Sequence, residues 1–325
     1  MKTEYLNEPR PIIGSSAVAV GSFDGVHLGH RTILEILIDK ARANGVPSAV
    51  VTFEPHPRKV TRSEDVGLLT PLEEKVAAFS ALGVDYLIIL KFDESISKMS
   101  FEDFVKFYLT DSLGMSILIL GEDHGFGKNR AGDAGSLAKL GSESGFEIEI
   151  VPPVKWKDVS IRSNRIRKSV SSGEMLDAAH MLGRPYSIYG EVVEGMKRGR
   201  KLGFPTVNIE VPEGKLLPPF GVYASAEKSG NPGLLYLGKS PTFGEGRFSV
   251  EFHGLEKPSA DVGDGFALSV FERFRSDIAF ASPQALVEQM EKDLAKFKTW
   301  LDNNKITNIV SKKQNKQEEE VVNHS

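Results

Sequence analysis

Two histidines beside a glycine-rich turn have the residue types and the spacing that are suited to binding a phosphate. Residues 18–30 read VAVGSFDGVHLGH, a short apolar run followed by glycines, His27 and His30. Glycines let backbone N–H groups approach an anion, and a helix starting near Leu28 would add a partial positive charge. Histidines three apart at a helix start share a face and can donate hydrogen bonds to phosphoryl oxygens. The turn predicts a phosphate site; a solvated turn with exposed histidines is the alternative.

A second set of candidate residues lies in GRKLGFPTVN, residues 199–208. Glycines flank a basic pair, and a rigid Phe-Pro leads to Thr206 and Asn208, which point the same way on a strand. A hydroxyl and an amide oxygen are hard ligands suited to magnesium on a nucleotide. The alternative is a glycine-rich hairpin whose threonine and asparagine face solvent.

Three further polar segments follow predicted strands. The PHP at 55–57 presents His56 from an extended loop, because the two prolines restrict the backbone. Residues 121–133 include four glycines, which permit close approach of the backbone to a ligand. Residues 161–167 place arginines beside a helix start, an arrangement suited to a triphosphate. Each segment alone could be a loop or a solvated helix face, but ligands of parallel sheets bind where strands end.

The elements that must hold these residues alternate between strands and helices up to about residue 151. Predicted strands span 17–20, 48–53, 85–90, 116–120 and 147–151, all short apolar runs. Predicted helices span 32–43, 71–82, 101–109 and 134–140. The second helix has a marked start, with Thr70 as N-cap, Pro71 at the first position and Glu73 as capping glutamate. This alternation predicts an α/β doubly wound parallel sheet of Rossmann type.

The pattern changes at Gly183 and Pro185, which stop a helix and prevent its continuation. Predicted strands then span 186–194, 207–211, 222–227, 234–237, 247–252 and 266–271. About six short strands with Gly/Pro turns predict a small antiparallel β-barrel.

A C-terminal helix is predicted from Pro283 to Leu301, and polar residues 305–325 are predicted to be disordered. The residues expected on the inner face of this helix are Leu286, Met290, Leu294 and Trp300. The predicted domains are therefore 1–182 and 183–304, followed by the tail.

Composition narrows the classes of protein. The chain has 325 residues, 40% of them hydrophobic and 26% charged, as in globular proteins with real cores. A net charge of −4 argues against a general nucleic-acid binder. The lack of cysteine excludes disulfides and thiolate zinc sites. With no apolar leader or membrane-length stretch, we expect a cytoplasmic enzyme with no membrane partner, as a monomer or weak homo-oligomer.

These strings together resemble a known family. VGSFDGVHLGH resembles the GxFDGxHxGH signature of the flavin-adenylating nucleotidylyltransferases, and GRKLGFPTVN resembles the GxxLGFPTxN signature of riboflavin kinase. With the segments at 55–57, 121–133 and 162–167, the chain resembles the bacterial bifunctional riboflavin kinase/FAD synthetase family from Val18 to about Leu301. It departs from the family pattern at His124-Gly125 and at Arg162-Ser163-Asn164, where the family has Ser-Ser-Thr.

The resemblance implies a nucleotidylyltransferase-like sheet, a riboflavin kinase-like barrel and two activities. Riboflavin would be phosphorylated to FMN with MgATP, and FMN adenylylated to FAD with release of pyrophosphate. The implied substrates are riboflavin, ATP and FMN, with FMN and FAD as products. The implied base for the ribityl 5′-hydroxyl is Glu251, and the implied Mg²⁺ ligands are Thr206 and Asn208.

The resemblance also assigns the remaining site residues. His27 and His30 would stabilise the phosphorus undergoing attack and the leaving group. The implied nucleotide-binding residues are Gly21, Phe23, Asp24, Gly25, Gly29, Asp123, Arg162, Ser163, Asn164, Arg167, Gly199, Lys201, Gly203 and Pro205. The implied flavin-binding residues are Pro55, His56, Phe126 and Arg275.

Two other functions stay open at this point. The departures at His124-Gly125 and Arg162-Ser163-Asn164 are compatible with a riboflavin kinase whose N-terminal nucleotide-binding domain is degenerate or regulatory. A non-catalytic flavin-binding module is the other alternative, and the set of Thr206, Asn208 and Glu251 argues against it.

Overall fold

The computed structural model describes residues 1–61, 67–122, 124–125, 127, 131–195, 204–239, 248–258 and 260–304. The chain divides into two compact units. The first comprises Met1–Ile166 with Met181–Gly183, and the second comprises Arg167–His180 with the chain from Arg184 onward. Within the described ranges, no helix is both long and apolar enough to cross a membrane.

The first unit contains a six-stranded, fully parallel sheet. In chain order its strands are β1 (Lys2–Leu6), β2 (Ser16–Val20), β3 (Ser48–Glu54), β4 (Tyr86–Lys91), β5 (Met115–Gly121) and β6 (Glu147–Val151). Their order across the sheet is β1-β4-β3-β2-β5-β6, and every neighbouring pair is parallel. The predicted doubly wound sheet is confirmed, and β1 is an additional edge strand that the sequence pattern did not predict.

Helices cover both faces of this sheet. Those of the first unit are α1 (Leu28–Ala43), α2 (Pro57–Thr61), α3 (Leu72–Leu82), α4 (Glu94–Lys98), α5 (Phe101–Phe104) and α6 (Ala134–Ser144). Two further helices, α7 (Ser163–Ser172) and α8 (Met175–Leu182), belong mostly to the second unit. A small hairpin, β7 (Lys155–Trp156) and β8 (Val159–Ser160), precedes α7. Leu34 of α1 and Phe79 of α3 pack with Ala19 of β2, whereas Phe104 packs on the opposite face with Val20. Side chains of β2 thus alternate between two apolar cores, as expected for a strand covered on both faces.

Two predicted helix details differ from the structure. The N-cap of α3 is Pro71, without a side-chain cap, because Thr70 Oγ1 instead accepts a hydrogen bond from the Gly25 N–H at 2.9 Å. The helix predicted over 101–109 is α-helical only to Phe104 and continues as a π-helix over Val105–Asp111.

The second unit contains a closed six-stranded antiparallel barrel. Its strands are β9 (Tyr186–Val193), β10 (Val207–Glu210), β11 (Gly221–Glu227), β12 (Pro232–Lys239), β13 (Phe248–Gly254) and β14 (Gly265–Ser276). They close in the order β10-β13-β12-β11-β14-β9, with every pair antiparallel. The predicted barrel is confirmed.

The C-terminal helix α9 (Pro283–Asn304) packs against the barrel. Phe297 is fully buried, and Leu294 and Trp300 pack in the same cluster with Phe274 of β14. The predicted inner face omitted Phe297 and also Asp293, which is 5% exposed. Phe297 lies three residues from both Leu294 and Trp300, and Asp293 lies four residues before Phe297, so both residues belong to that face. The predicted disordered tail, 305–325, lies outside the described residues.

Candidate active sites

The turn between β2 and α1 is built around a buried aspartate. Asp24 has no exposed surface, and its two carboxylate oxygens accept hydrogen bonds from the backbone N–H groups of Leu69 at 3.2 Å and Thr70 at 2.9 Å. Its carbonyl accepts a hydrogen bond from Ser163 Oγ at 2.8 Å. Two predicted nucleotide-binding residues, Asp24 and Ser163, therefore hold the turn to two other segments of the first unit.

The backbone of this turn is strained at two non-glycine residues. Phe23 has a φ of +47° and Val26 a φ of +39°, values that side chains with a Cβ rarely adopt. Phe23 is nearly buried and packs edge-on against Phe79 and His30. Such strain persists only where surrounding contacts impose it, so the shape of the turn is set by its anchors.

The two histidines lie together, as their spacing predicted. His27 is the N-cap of α1, and its Nδ1 accepts a hydrogen bond from the His30 N–H at 3.2 Å. The two rings stack with centroids 3.6 Å apart. Because a backbone N–H can only donate, Nδ1 of His27 must accept, and the neutral ring carries its proton on Nε2. A Cβ on Gly29 would lie 3.3 Å from His27 Cε1, so the glycine leaves room for this ring.

The structure also joins the 55–57 segment to the start of α7. The prediction of an extended loop that presents His56 outward is wrong, because the helix α2 begins at Pro57 and His56 is only 6% exposed. The His56 Nδ1 accepts a hydrogen bond from the Arg58 N–H at 3.3 Å. The Arg58 side chain donates from Nη1 to Asn164 Oδ1 at 2.8 Å. Asn164 therefore uses an amide oxygen where the family pattern has a hydroxyl, and this oxygen holds Arg58. Pro55 follows a cis peptide bond in the same segment.

The arginines at the start of α7 differ in their contacts and exposure. Arg165, which was not among the predicted site residues, donates to the carbonyls of Trp156 at 2.9 Å and Val159 at 2.7 Å. It therefore stabilises the β7–β8 hairpin. Arg162 is exposed and Arg167 half-buried, and nucleotide binding by either stays a prediction.

The segment after β5 is described only in part. Asp123 and Phe126, two of the predicted site residues, lie outside the described residues. Gly127 has a φ of +75°, and a Cβ there would lie 2.7 Å from the Phe101 backbone nitrogen, so no other residue fits. Asp133 caps α6: its Oδ1 accepts a hydrogen bond from the Ser136 N–H at 2.8 Å, which lowers the pKa of the Asp133 carboxyl.

In the barrel, three predicted residues meet. Glu251 of β13 lies opposite Asn208 of β10 in the strand register. Its Oε2 is 3.5 Å from Thr206 Oγ1, a long hydrogen bond, and its Oε1 accepts a hydrogen bond from Ser249 Oγ at 2.7 Å. Ser249 was not predicted, although its position two residues before Glu251 on a strand places it on the same face.

A tyrosine flanks Glu251 on its other side. Tyr236 of β12 is the register partner of Glu251, and its hydroxyl donates to Asp277 Oδ1 at 3.1 Å. Burial, then the charges of Asp277 and Glu251, raise the pKa of Tyr236 to about 12. The phenol therefore keeps its proton at any physiological pH. No sequence motif singled out Tyr236.

The predicted flavin-side arginine joins the barrel to its helix. Arg275 Nε and Nη2 each lie 2.8 Å from Asp293 Oδ2 of α9, and Gln289 Nε2 donates to Asp293 Oδ1 at 2.8 Å. The Arg275 guanidinium also lies 5.9 Å from the centroid of the Phe280 ring. Its role toward flavin stays a prediction.

The glycine-rich part of the barrel motif is outside the described residues, and this applies to Gly199, Lys201 and Gly203. Pro205 is described, and its carbonyl lies 2.8 Å from His253 Nδ1. The described ranges contain no group of three or more His, Asp or Glu side chains that could hold a metal.

Comparison with known proteins gives matches over both units. The family model described as FAD synthetase matches residues 11–165, and the model described as riboflavin kinase matches residues 182–301. The bifunctional riboflavin kinase/FMN adenylyltransferase of Listeria monocytogenes is 35% identical over 303 residues, which cover 90% of this chain and 96% of that protein. The chain belongs to the bifunctional riboflavin kinase/FMN adenylyltransferase family.

A second relative and one solved structure are also similar to this chain over most of its length. The Bacillus subtilis bifunctional riboflavin kinase/FMN adenylyltransferase is 34% identical over 306 residues, covering 90% of this chain and 96% of that protein. The crystal structure of a macrolide-efflux protein from Streptococcus pneumoniae superimposes with a TM-score of 0.82 at 25% identity, covering 92% of this chain and 100% of that chain.

The two candidate sites fall in different parts of this bifunctional family's pattern. The turn with His27 and His30 lies in the range matched by FAD synthetase, whereas Thr206, Asn208 and Glu251 lie in the range matched by riboflavin kinase. The family resemblance drawn from the sequence motifs is confirmed.

Proposed function

We propose that this chain phosphorylates riboflavin to FMN with ATP and then adenylylates FMN to FAD, releasing pyrophosphate. The observation that carries this proposal is the match to both family models over separate ranges, each of which holds its own cluster of candidate residues. We assign adenylyl transfer to residues 1–182 and the kinase to residues 183–304. We expect the enzyme to act in the cytoplasm as a monomer or weak homo-oligomer.

In the kinase site, Glu251 is the general base. It accepts the proton of the ribityl 5′-hydroxyl as that oxygen attacks the γ-phosphorus of ATP and ADP leaves. Ser249 holds one carboxylate oxygen at 2.7 Å, and the other makes only a long contact with Thr206, so the second oxygen is the better proton acceptor. Phosphoryl transfer depends mostly on positioning and charge neutralisation, so one base in a fixed orientation suffices.

The oxygen atoms beside this base fit a magnesium ion. A threonine hydroxyl, an asparagine amide and a carboxylate are hard ligands that suit Mg²⁺. Thr206 directly precedes β10, Asn208 lies on β10, and Glu251 lies opposite on β13. Thr206 and Asn208 would hold the ion. Bound there with the nucleotide, Mg²⁺ would neutralise phosphate charge. Gly199, Lys201, Gly203 and Pro205 contact the nucleotide in this proposal.

In the adenylyltransferase site, a phosphate oxygen of FMN attacks the α-phosphorus of ATP directly. The new P–O bond forms as the bond to pyrophosphate breaks, with no enzyme nucleophile. Nε2–H of His27 donates a hydrogen bond to the phosphoryl oxygens as negative charge grows there, and His30 supports it from the stacked position. The first turn of α1 adds N–H groups that lack acceptors within the helix.

The other predicted residues complete this site. Asp24 and Ser163 hold the turn through their hydrogen bonds. In this proposal the nucleotide contacts the turn at Gly21, Phe23, Gly25 and Gly29. We propose that the nucleotide is also held by Asp123, Arg162, Asn164 and Arg167. We propose that Pro55, His56 and Phe126 contact FMN in this unit, and that Arg275 lies on the riboflavin side of the barrel.

One experiment tests the whole proposal. The purified chain is incubated with riboflavin and MgATP, and FMN and FAD are resolved by chromatography over time. We expect FMN to form first and FAD to follow. FMN without FAD would favour a riboflavin kinase with a regulatory N-terminal domain, and bound flavin without either product would favour a non-catalytic flavin-binding protein.

A further inference from the structure

A buried lysine lies beneath the turn that carries His27. Lys75 of α3 is only 2% exposed, whereas lysines are almost never fully buried unless they are paired. Burial lowers the pKa of its ammonium, and the carboxylates of Asp24, Glu54 and Glu73 act in the opposite direction, Asp24 most strongly. A buried lysine and a buried aspartate therefore both lie at this turn.

Lys75 donates a hydrogen bond to the backbone of the turn. Its Nζ donates to the Ser22 carbonyl at 3.3 Å, and Thr52 Oγ1 donates to the same carbonyl at 3.4 Å. Ser22 immediately precedes Phe23, where the backbone enters its first disfavoured conformation. The ammonium is thus bonded to the turn just where its direction changes.

Charge balance adds a second reason for this lysine. Asp24 is fully buried and receives backbone N–H hydrogen bonds, but these do not cancel a full negative charge. The Lys75 ammonium makes no direct hydrogen bond to this carboxylate, but the two buried charges attract each other, and removing one of them takes that attraction from the other. A shift of the turn would move His27 and the start of α1 together, because both follow directly in the chain.

We propose that Lys75 is a positioning residue for adenylyl transfer. Its ammonium fixes the Ser22 carbonyl and balances the charge of Asp24, so that the strained turn holds His27 in its reactive orientation. Lys75 acts through the turn and touches no reacting atom. This inference rests on the proposed FMN adenylyltransferase function.

The first test is Lys75→Met in the full chain, with Lys139→Met on the exposed face of α6 as the matched control. We expect the kcat for FAD formation from FMN and ATP to fall about 10²-fold, as for a displacement of about 1 Å at a catalytic group. The KM for FMN and the rate of riboflavin phosphorylation stay within about twofold, since misplacement affects the reacting step rather than flavin binding. Lys139→Met leaves both activities unchanged.

The second test separates charge balance from simple packing. In Asp24→Asn/Lys75→Met both charges are absent, so we expect a higher urea midpoint for this double variant than for Lys75→Met alone. If the single variant does not fold, folding of the double variant supports the same conclusion. A double variant no more stable than the single one, or one that also fails to fold, overturns the charge balance.

The outcomes also separate this inference from the function on which it rests. A folded Lys75→Met protein that makes FAD at the wild-type kcat overturns the role of Lys75 and leaves the adenylyltransferase function intact. Equal loss of kinase and adenylyltransferase rates overturns it as well, because the effect is then not confined to the turn. A wild-type chain that makes no FAD refutes the proposed function itself.

Discussion

His27 caps α1 in this structure and is the hydrogen-bond donor of the proposed adenylyl transfer, and two substitutions distinguish the cap from the proposed role. It caps α1 by accepting the His30 N–H, and it presents Nε2–H as a donor. His27→Ala removes the cap, which costs about 1 kcal/mol, and the stacked contact with His30, which costs about 0.5–1.5 kcal/mol. Asparagine is among the best N-caps, so His27→Asn restores the cap and loses only the stacking.

The expected stabilities follow from this. His27→Ala is destabilised by roughly 2 kcal/mol and His27→Asn by about 1 kcal/mol, a difference of about 2–4 °C in melting temperature for a unit of this size. Catalysis behaves differently, because neither replacement carries a donor where Nε2–H lies. Loss of one donor to a developing negative charge costs about 10²–10³-fold in kcat, so both variants lose FAD formation to that extent.

Thermal unfolding and chromatographic assay of FAD from FMN and ATP measure the two effects on the same samples. Riboflavin phosphorylation is the internal control, since Glu251 and its neighbours lie in the other unit. If His27→Asn makes FAD within a few-fold of the wild-type rate, His27 is a helix cap and not a catalytic donor. Equal stability of the Ala and Asn variants would refute the capping role.

Three further predictions concern the barrel. Glu251→Gln keeps the shape of the side chain but removes the base, so riboflavin phosphorylation falls about 10²–10⁴-fold while FAD formation from supplied FMN is unchanged, as product analysis would show. Burial raises the pKa of Tyr223 and Tyr236 to about 12 each, above the value near 10 in unfolded chains. Between about pH 10 and 12 the folded barrel therefore binds more protons than the unfolded chain, and its free energy of unfolding decreases as the pH rises through this range. Replacing both tyrosines with Phe should make this decrease smaller, as urea titrations at several pH values would show. Arg275→Met leaves the buried Asp293 carboxylate without its positively charged partner, with only Gln289 still donating to it, and should lower the free energy of unfolding by about 3 kcal/mol. Arg275→Met/Asp293→Asn should recover part of this loss, and equal stability of Arg275→Met and wild type would contradict the pairing.

The sequence predicted best those features that depend on local periodicity. Apolar runs identified β2, β3, β4 and β5, because a strand buried on both faces is apolar nearly throughout. The strand β6 was predicted in the right place but not with the right burial: it is an edge strand of alternating Glu and Ile, and only its Val151 is buried. The edge strand β1 escaped this criterion because only Leu6 of KTEYL is buried. The close approach of His27 and His30 followed from a three-residue spacing, which needs no tertiary information.

Features that depend on distant segments could not be predicted in this way. Thr70 fits a helix cap, but its hydroxyl is used by Gly25, 45 residues earlier in the chain. The buried charges do leave a signal in the sequence. Lys75 lies three residues after Leu72 and four before Phe79, and Asp293 lies four before Phe297, so each is a charge on an apolar helix face. Such a charge needs a buried partner, although the spacing does not say which one.

The bond between Ser163 Oγ and the Asp24 carbonyl has a consequence for the order in which the chain becomes functional during synthesis. Its partners are 139 residues apart, and β2 itself needs β5 as a neighbour, so the turn cannot be completed until α7 has left the ribosome. Loops of this length close slowly compared with local contacts. The barrel site relies on Thr206 and Glu251, which are only 45 residues apart. The proposed adenylyltransferase site, although encoded first, therefore depends on a segment that is synthesised shortly before the barrel. A chain arrested before residue 163 would contain His27 and His30 but would lack the Ser163 contact that holds their turn.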